Sequence, residues 1–177
     1  MGTRLILPYG PTNEFVQKII PEENDAFKNI VLPTLEEFII DPSCLSKFDT
    51  PIYNLVYQQY WEYYNWYNAD ETTRSFLAPI VHTFYNKTPV LCYPRFIPLV
   101  SEDNVYKYNE NECLLAAGLN LGKQNIGENE CIEFFRNIPL ICNYLNLEEN
   151  DIIYNPSNIG YNPTFGIRLI DYGLSHS

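Results

Sequence analysis

An amide and a carboxylate, Asn158 and Asp171, stand thirteen residues apart near the end of the chain. Two apolar runs, Ile159-Gly160-Tyr161 and Ile167-Arg168-Leu169-Ile170, lie between them on either side of Asn162-Pro163-Thr164-Phe165-Gly166. Asn, Pro and Gly supply turn dihedrals, so the segment reads as a β-hairpin that returns Asp171 to the end of the ladder where Asn158 begins it. An amide oxygen and a carboxylate held together in this way suit Mg²⁺, which takes few protein oxygens and completes its shell with water or phosphate. An ordinary surface hairpin would carry the same turn residues.

Two further ionisable residues sit in apolar company. Lys18 lies in Glu14-Phe15-Val16-Gln17-Lys18-Ile19-Ile20, which reads as a strand. Burying its ammonium without a counter-charge is costly, so it either meets an acid or faces water from a sheet edge. Glu62 lies on Pro51 to Tyr67, where Ile52, Leu55, Val56, Tyr60, Tyr63 and Tyr67 recur at helical spacing. A second acidic pair, Glu36 and Glu37, falls on a possible helix from Thr34 to Ile40.

In chain order, Lys18, Glu62, Leu77-Ala78-Pro79, Asn158 and Asp171-Tyr172-Gly173 resemble short protein-kinase-like proteins of the kind found in bacteriophages and related microbial families. Phe76 to Val81 and Pro89 to Phe96, around a polar interval at Tyr85 to Thr88, look like the two strands that lead to a kinase hinge. The resemblance implies an α+β chain with a minimal protein-kinase-like fold: a small antiparallel sheet with a packed helix, then a short helical part and a β-hairpin. It implies a single domain over 1–177, with a small-lobe-like part at 1–100, an insertion at about 21–50, and a truncated second-lobe-like part at 101–177. Lys18 and Glu62 would then pair to position the phosphates of ATP, with Glu36 or Glu37 as the competing partner, and Asn158 and Asp171 would hold Mg²⁺.

Three departures shape the functional expectation. Gly2 and Gly10 are the only glycines before Lys18, so no G-x-G-x-x-G is present to cover phosphates. The kinase catalytic loop has an Asp five residues before its metal-binding Asn, and here that position is Ile153, whose alkyl group cannot take a proton. Asp151 is the weak substitute, and a cap on a turn before a strand is the favoured reading of it. With Ser177 close behind Asp171-Tyr172-Gly173, an activation segment and peptide-binding helices are not expected. The expected protein is a catalytically impaired, pseudokinase-like chain of viral (phage) origin that acts mainly through protein–protein contact. The alternative is a minimal Mg-ATP-dependent phosphotransferase or nucleotide-binding protein.

Composition narrows the partners. The 177 residues suffice for one hydrophobic core. A net charge of −11 without a Lys/Arg cluster argues against nucleic acid and anionic membranes. No apolar run approaches membrane-spanning length, and no signal peptide is evident, so the cytoplasm is expected, that of a host or the virion if the chain is viral. Cys44, Cys92, Cys113, Cys131 and Cys142 are widely spaced and read as reduced and mostly buried. With His82 and His176 alone beside them, zinc is not expected. His82 reads as a strand residue facing water.

The aromatic run Tyr57 to Tyr67, with Trp61 and Trp66, places rings around the helix and reads as core plus interface; a protein partner, or a second copy, is expected there. Ser101 to Glu112 reads as a polar linker, Cys113 to Leu121 as a helix ended by Gly122, and Glu128 to Phe135 as another that reaches Pro139.

Overall fold

A reversal between Tyr9 and Phe15 needs left-handed backbone, and Gly10 (φ +87°) and Asn13 (φ 56°) provide it. In the computed structural model this turn joins the first two strands. The structure describes residues 4–21, 31–46, 54–98, 128–147 and 158–173. They belong to two compact units, 1–68 with 79–95, and 69–78 with 96–177.

The first unit contains β1 (Leu5–Tyr9), β2 (Phe15–Ile19), α1 (Leu35–Ile40), α2 (Asn54–Asn68), β3 (His82–Asn86) and β4 (Thr88–Pro94). The strands form an antiparallel sheet in the order β1-β2-β4-β3. β2 is therefore an inner strand, with Lys18 opposite Leu91 on β4. Every residue of β4 is buried, whereas all five of β1 are exposed. The strand expected at Phe76 to Val81 lies instead at His82–Asn86, and the turn is tightened to Lys87 at φ 64°. The β-branched and aromatic Thr83, Phe84 and Tyr85 supply the strand; of the apolar Phe76 to Val81, Leu77, Ala78 and Pro79 are buried, Val81 is exposed, and the segment belongs to the second unit as far as Ala78.

α1 starts at Thr34, whose Oγ1 accepts from the Glu37 N–H at 3.0 Å. α2 covers the expected helix from Asn54 onward, and residues 51–53 lie outside the described set. It packs Tyr60 and Val56 inward, and the Tyr60 hydroxyl donates to the Pro33 carbonyl. Phe38 of α1, fully buried, meets the edges of Tyr60, Trp61 and Tyr64 at 5.3, 5.0 and 5.9 Å.

The second unit contains α3 (Glu71–Arg74), β5 (Ile97–Pro98), α4 (Glu128–Leu145), β6 (Ile159–Asn162) and β7 (Gly166–Leu169), with a three-stranded antiparallel sheet in the order β5-β6-β7. The hairpin lies where the Asn, Pro and Gly residues put it. Asn162 Oδ1 accepts from the Thr164 and Phe165 N–H groups, and Gly166 takes φ +80°. Gly160 is required by close approach, since a Cβ there would stand 3.0 Å from Ile170 and Phe96. Leu77 bridges Leu169, with N–H to carbonyl bonds of 2.8 Å from Ala78 to Leu169 and from Leu169 to Phe76. α4 does not stop at Pro139 but runs through it to Leu145. Proline removes one helix hydrogen bond; burial of Phe134, Ile138, Ile141, Cys142 and Leu145 along one face holds the helix across that gap.

The expected linker Ser101 to Glu112, the helix Cys113 to Leu121, Asp151 and Ile153 lie outside the described residues. Among the described cysteines, Cys92 and Cys142 are buried and Cys44 is half-buried. His82 is exposed on β3. No described helix is long and apolar enough to cross a membrane.

Candidate functional site

The one ionised cluster buried among the described residues of the first unit is built on Glu62. α2 carries Val56, Gln59, Tyr60 and Glu62 into the interior, and Glu62 and the Tyr60 ring are both at 0 % exposure. A carboxylate at that depth needs neutralisation and several hydrogen bonds to be tolerated. Lys18 Nζ donates to Glu62 Oε2 at 2.9 Å. Arg4 forks onto both oxygens, Nη1 to Oε2 at 3.0 Å and Nη2 to Oε1 at 3.1 Å. The Tyr93 hydroxyl, from β4, donates to Oε2 as well.

The cations are themselves oriented. Arg4 Nη1 also donates to Gln59 Oε1 at 3.1 Å, while Gln59 Nε2 donates to the carbonyls of Lys18 at 2.7 Å and Pro89 at 2.9 Å. The amide thus ties β2, β4 and α2 together and fixes the guanidinium that reads the carboxylate. Lys18 Nζ also stands 4.8 Å above the Tyr93 ring, a cation–π contact. Burial alone would raise the Glu62 pKa, but the Arg4 charge, then that of Lys18, and their hydrogen bonds outweigh it and hold the carboxyl far below the usual carboxylate range. The site therefore keeps Glu62 ionised in a place where water would not.

Lys18 and Glu62 are thus brought together. Glu36 and Glu37 are exposed on α1, so the competing pairing is not made. Lys18 does not face water from an edge: it is 5 % exposed on an inner strand. Arg4, Gln59 and Tyr93 were not anticipated. Gln59 is three residues before Glu62 and so shares its helix face, which is a signal the sequence carried. Arg4 is a lone charge ahead of an apolar strand and carried none.

In the second unit, Asn158 and Asp171 do lie at the same end of the β6–β7 ladder. The Ile170 N–H donates to the Asn158 carbonyl at 2.8 Å, and Asp171 follows directly. Asn158 is buried and Asp171 half-buried. Tyr172 anchors this end, its ring fully buried and its hydroxyl donating to the Ala78 carbonyl at 2.7 Å. Tyr172→Phe is expected to lower stability by about 1 kcal/mol, the net value of a buried hydrogen bond; equal urea midpoints for the two proteins would show that Ala78 finds another donor. Arg168 secures the same region, Nη1 donating to the carbonyls of Leu77 at 3.1 Å and Arg74 at 3.3 Å. Among the described residues no three His, Cys, Asp or Glu side chains gather as a metal group. The only protein oxygens offered for Mg²⁺ by this reading are those of Asn158 and Asp171.

The fold and the buried cluster define an α+β protein with small antiparallel sheets and a few helices. No family model, curated protein or solved structure matches the chain.

Proposed function

We propose that the chain is a kinase-like protein with impaired catalysis that acts mainly by binding another protein. The observation that carries this reading is the buried ion pair between Lys18, on the inner strand β2, and Glu62, on α2. With α1 in the expected insertion and the short α3 between α2 and β3, the order β2, α2, β3 and β4 before Phe96 follows the order the kinase resemblance calls for, and the pair joins the two residues it names. Impairment is argued from sequence: Ile153 stands where the proton-accepting Asp is expected, and residues 1–17 carry no G-x-G-x-x-G. The protein partner is argued from exposed Leu5, Ile6, Leu7, Tyr9 and Phe15, a continuous apolar stretch of β1 and the start of β2 in a chain of net charge −11.

A second reading, Mg²⁺-dependent nucleotide binding, is favoured by the same ion pair together with the shared end of Asn158 and Asp171. Thermal unfolding with and without Mg²⁺ and ATP separates the two. A ligand that binds only the native state stabilises it, by about 2.7 kcal/mol at a hundred times its Kd. On the main reading millimolar Mg-ATP leaves the Tm unchanged and a protein partner co-purifies from the natural source. A Mg²⁺-dependent rise that Asp171→Ala abolishes would replace it with the second reading; a lone monomer without response to Mg-ATP would remove both.

A further inference from the structure

Glu62 has more support than a single ion pair requires. Lys18 and Arg4 both donate to Oε2, Arg4 also covers Oε1, and its side chain is 5 % exposed. Gln59 holds the guanidinium and the Tyr93 hydroxyl donates to the carboxylate, and neither of these bonds runs through the Lys18 ammonium, whose own contact with Tyr93 is to the ring face. If Lys18 turned away, Glu62 would keep a bidentate cation and a hydroxyl.

We infer that Arg4 is a positioning residue that holds Glu62 in place independently of Lys18, so that the Lys18 ammonium can be released to an anionic, phosphate-bearing ligand without stranding a buried carboxylate. The ligand half of this inference rests on the nucleotide reading above; the backing of Glu62 by Arg4 does not. A buried acid served by one lysine would resist giving it up, because the remaining charge would have neither water nor partner. Arg4 removes that obstacle through a planar fork, which a lysine ammonium cannot reproduce. It also links the residue just ahead of β1 to α2, so the start of the chain takes part in the site where no glycine-rich loop is present.

The test is a double-mutant cycle on the whole chain, without ligand. Lys18→Met is measured by urea unfolding in the presence of Arg4 and again with Arg4→Gln. The unfolding constant is expected to rise at least about tenfold more in the Arg4→Gln protein, a coupling within the range of residues that share one buried partner. Equal effects in the two backgrounds would overturn the inference. If the double variant does not fold, adding Glu62→Gln decides: recovery of folding shows that the stranded carboxylate was the damage, and continued failure overturns the role of Arg4.

A positioning role is further marked by rescue and by pH. Arg4→Lys is expected to restore only part of the coupling, and Arg4→Gln to move the acid limb of the stability curve upward in pH, because of the two cations that keep Glu62 ionised it loses the one with the larger effect. Mg-ATP titration then tests the ligand half. A wild-type Tm rise weakened at least about tenfold in apparent affinity by Arg4→Gln supports release of Lys18, and an undiminished rise contradicts it. No rise in the wild type ends the nucleotide reading, while the cycle still decides whether Arg4 backs Glu62.

Discussion

Glu62→Ala is expected to destabilise the protein by about 3–5 kcal/mol, the range for removing one member of a buried ion pair. The substitution leaves Arg4 and Lys18, with side chains 5 % and 7 % exposed, facing a cavity where the carboxylate had been. Against a total stability of about 5–15 kcal/mol for a folded chain, that loss is enough to bring the first unit to the edge of unfolding. Glu62→Gln keeps the volume and one acceptor and should cost less, so the difference between the two variants reports the cavity and the missing acceptor separately from the charge. A loss under about 1 kcal/mol for Glu62→Ala would mean the cluster is screened as a surface pair is, and the burial on which the site rests would be wrong.

The same residue sets a pH dependence. Its carboxyl titrates below the ordinary range in the folded chain, so the unfolded chain binds the proton first. The stabilisation is complete above the ordinary glutamate pKa of about 4.3 and is lost progressively as pH falls below it. Acid unfolding followed in wild type and Glu62→Gln should therefore converge at low pH; parallel curves would contradict the shift. Stability alone does not account for the cluster, since apolar replacements of buried ion pairs are often neutral or stabilising. That is why Arg4, Lys18 and Glu62 are the residues any function has to explain.

How far the sequence discloses this arrangement depends on the range of the signal. The β6–β7 hairpin was legible because turn residues act locally: Asn162, Pro163 and Gly166 stand where the chain reverses. The α2 helix follows from spacing of three and four, but the burial of Glu62 on it does not, since that spacing picks out Tyr63 and Tyr67 while the buried face carries Gln59, Glu62 and Asn65. The Lys18–Glu62 pair, between residues 44 apart, was legible only because the order of parts resembled a known arrangement. Arg4 was not, because its partner is 58 residues away and nothing local marks a charge that will be buried. β3 was misplaced by hydrophobicity, since Phe76 to Val81 is the more apolar stretch. There Leu77 and Ala78 are buried against Leu169 and Tyr172 rather than in the four-stranded sheet. Pro139 misled in a similar way: a local breaker was overridden by the apolar face of α4.

Phe38→Ala is the second large effect, expected to cost about 3–5 kcal/mol as the removal of a fully buried phenylalanine does. The aromatic run on α2 predicts rings on several faces of the helix, and α1 supplies the ring that organises one of them. Phe38 meets Tyr60, Trp61 and Tyr64 edge-on, and Trp61 and Tyr64 meet each other at 4.9 Å. Edge-to-face pairs add about 0.5–1.5 kcal/mol each beyond the area they bury, so the site has little capacity to collapse around alanine without breaking them. Phe38→Leu, which fills most of the volume but loses the ring edges, should fall well short of the full loss. Tyr67 lies at the far end of the same helix with 54 % of its surface exposed, and Tyr67→Ala should change stability by no more than about 0.5 kcal/mol. Urea unfolding monitored by tryptophan fluorescence reads both effects, because Trp61 is 5.0 Å from the Phe38 ring. Equal midpoints for Phe38→Ala and Tyr67→Ala would place the aromatic run at an interface rather than in the core. The expected separation instead divides it, with Tyr60, Trp61 and Tyr64 spent on the core and Tyr67 outside it.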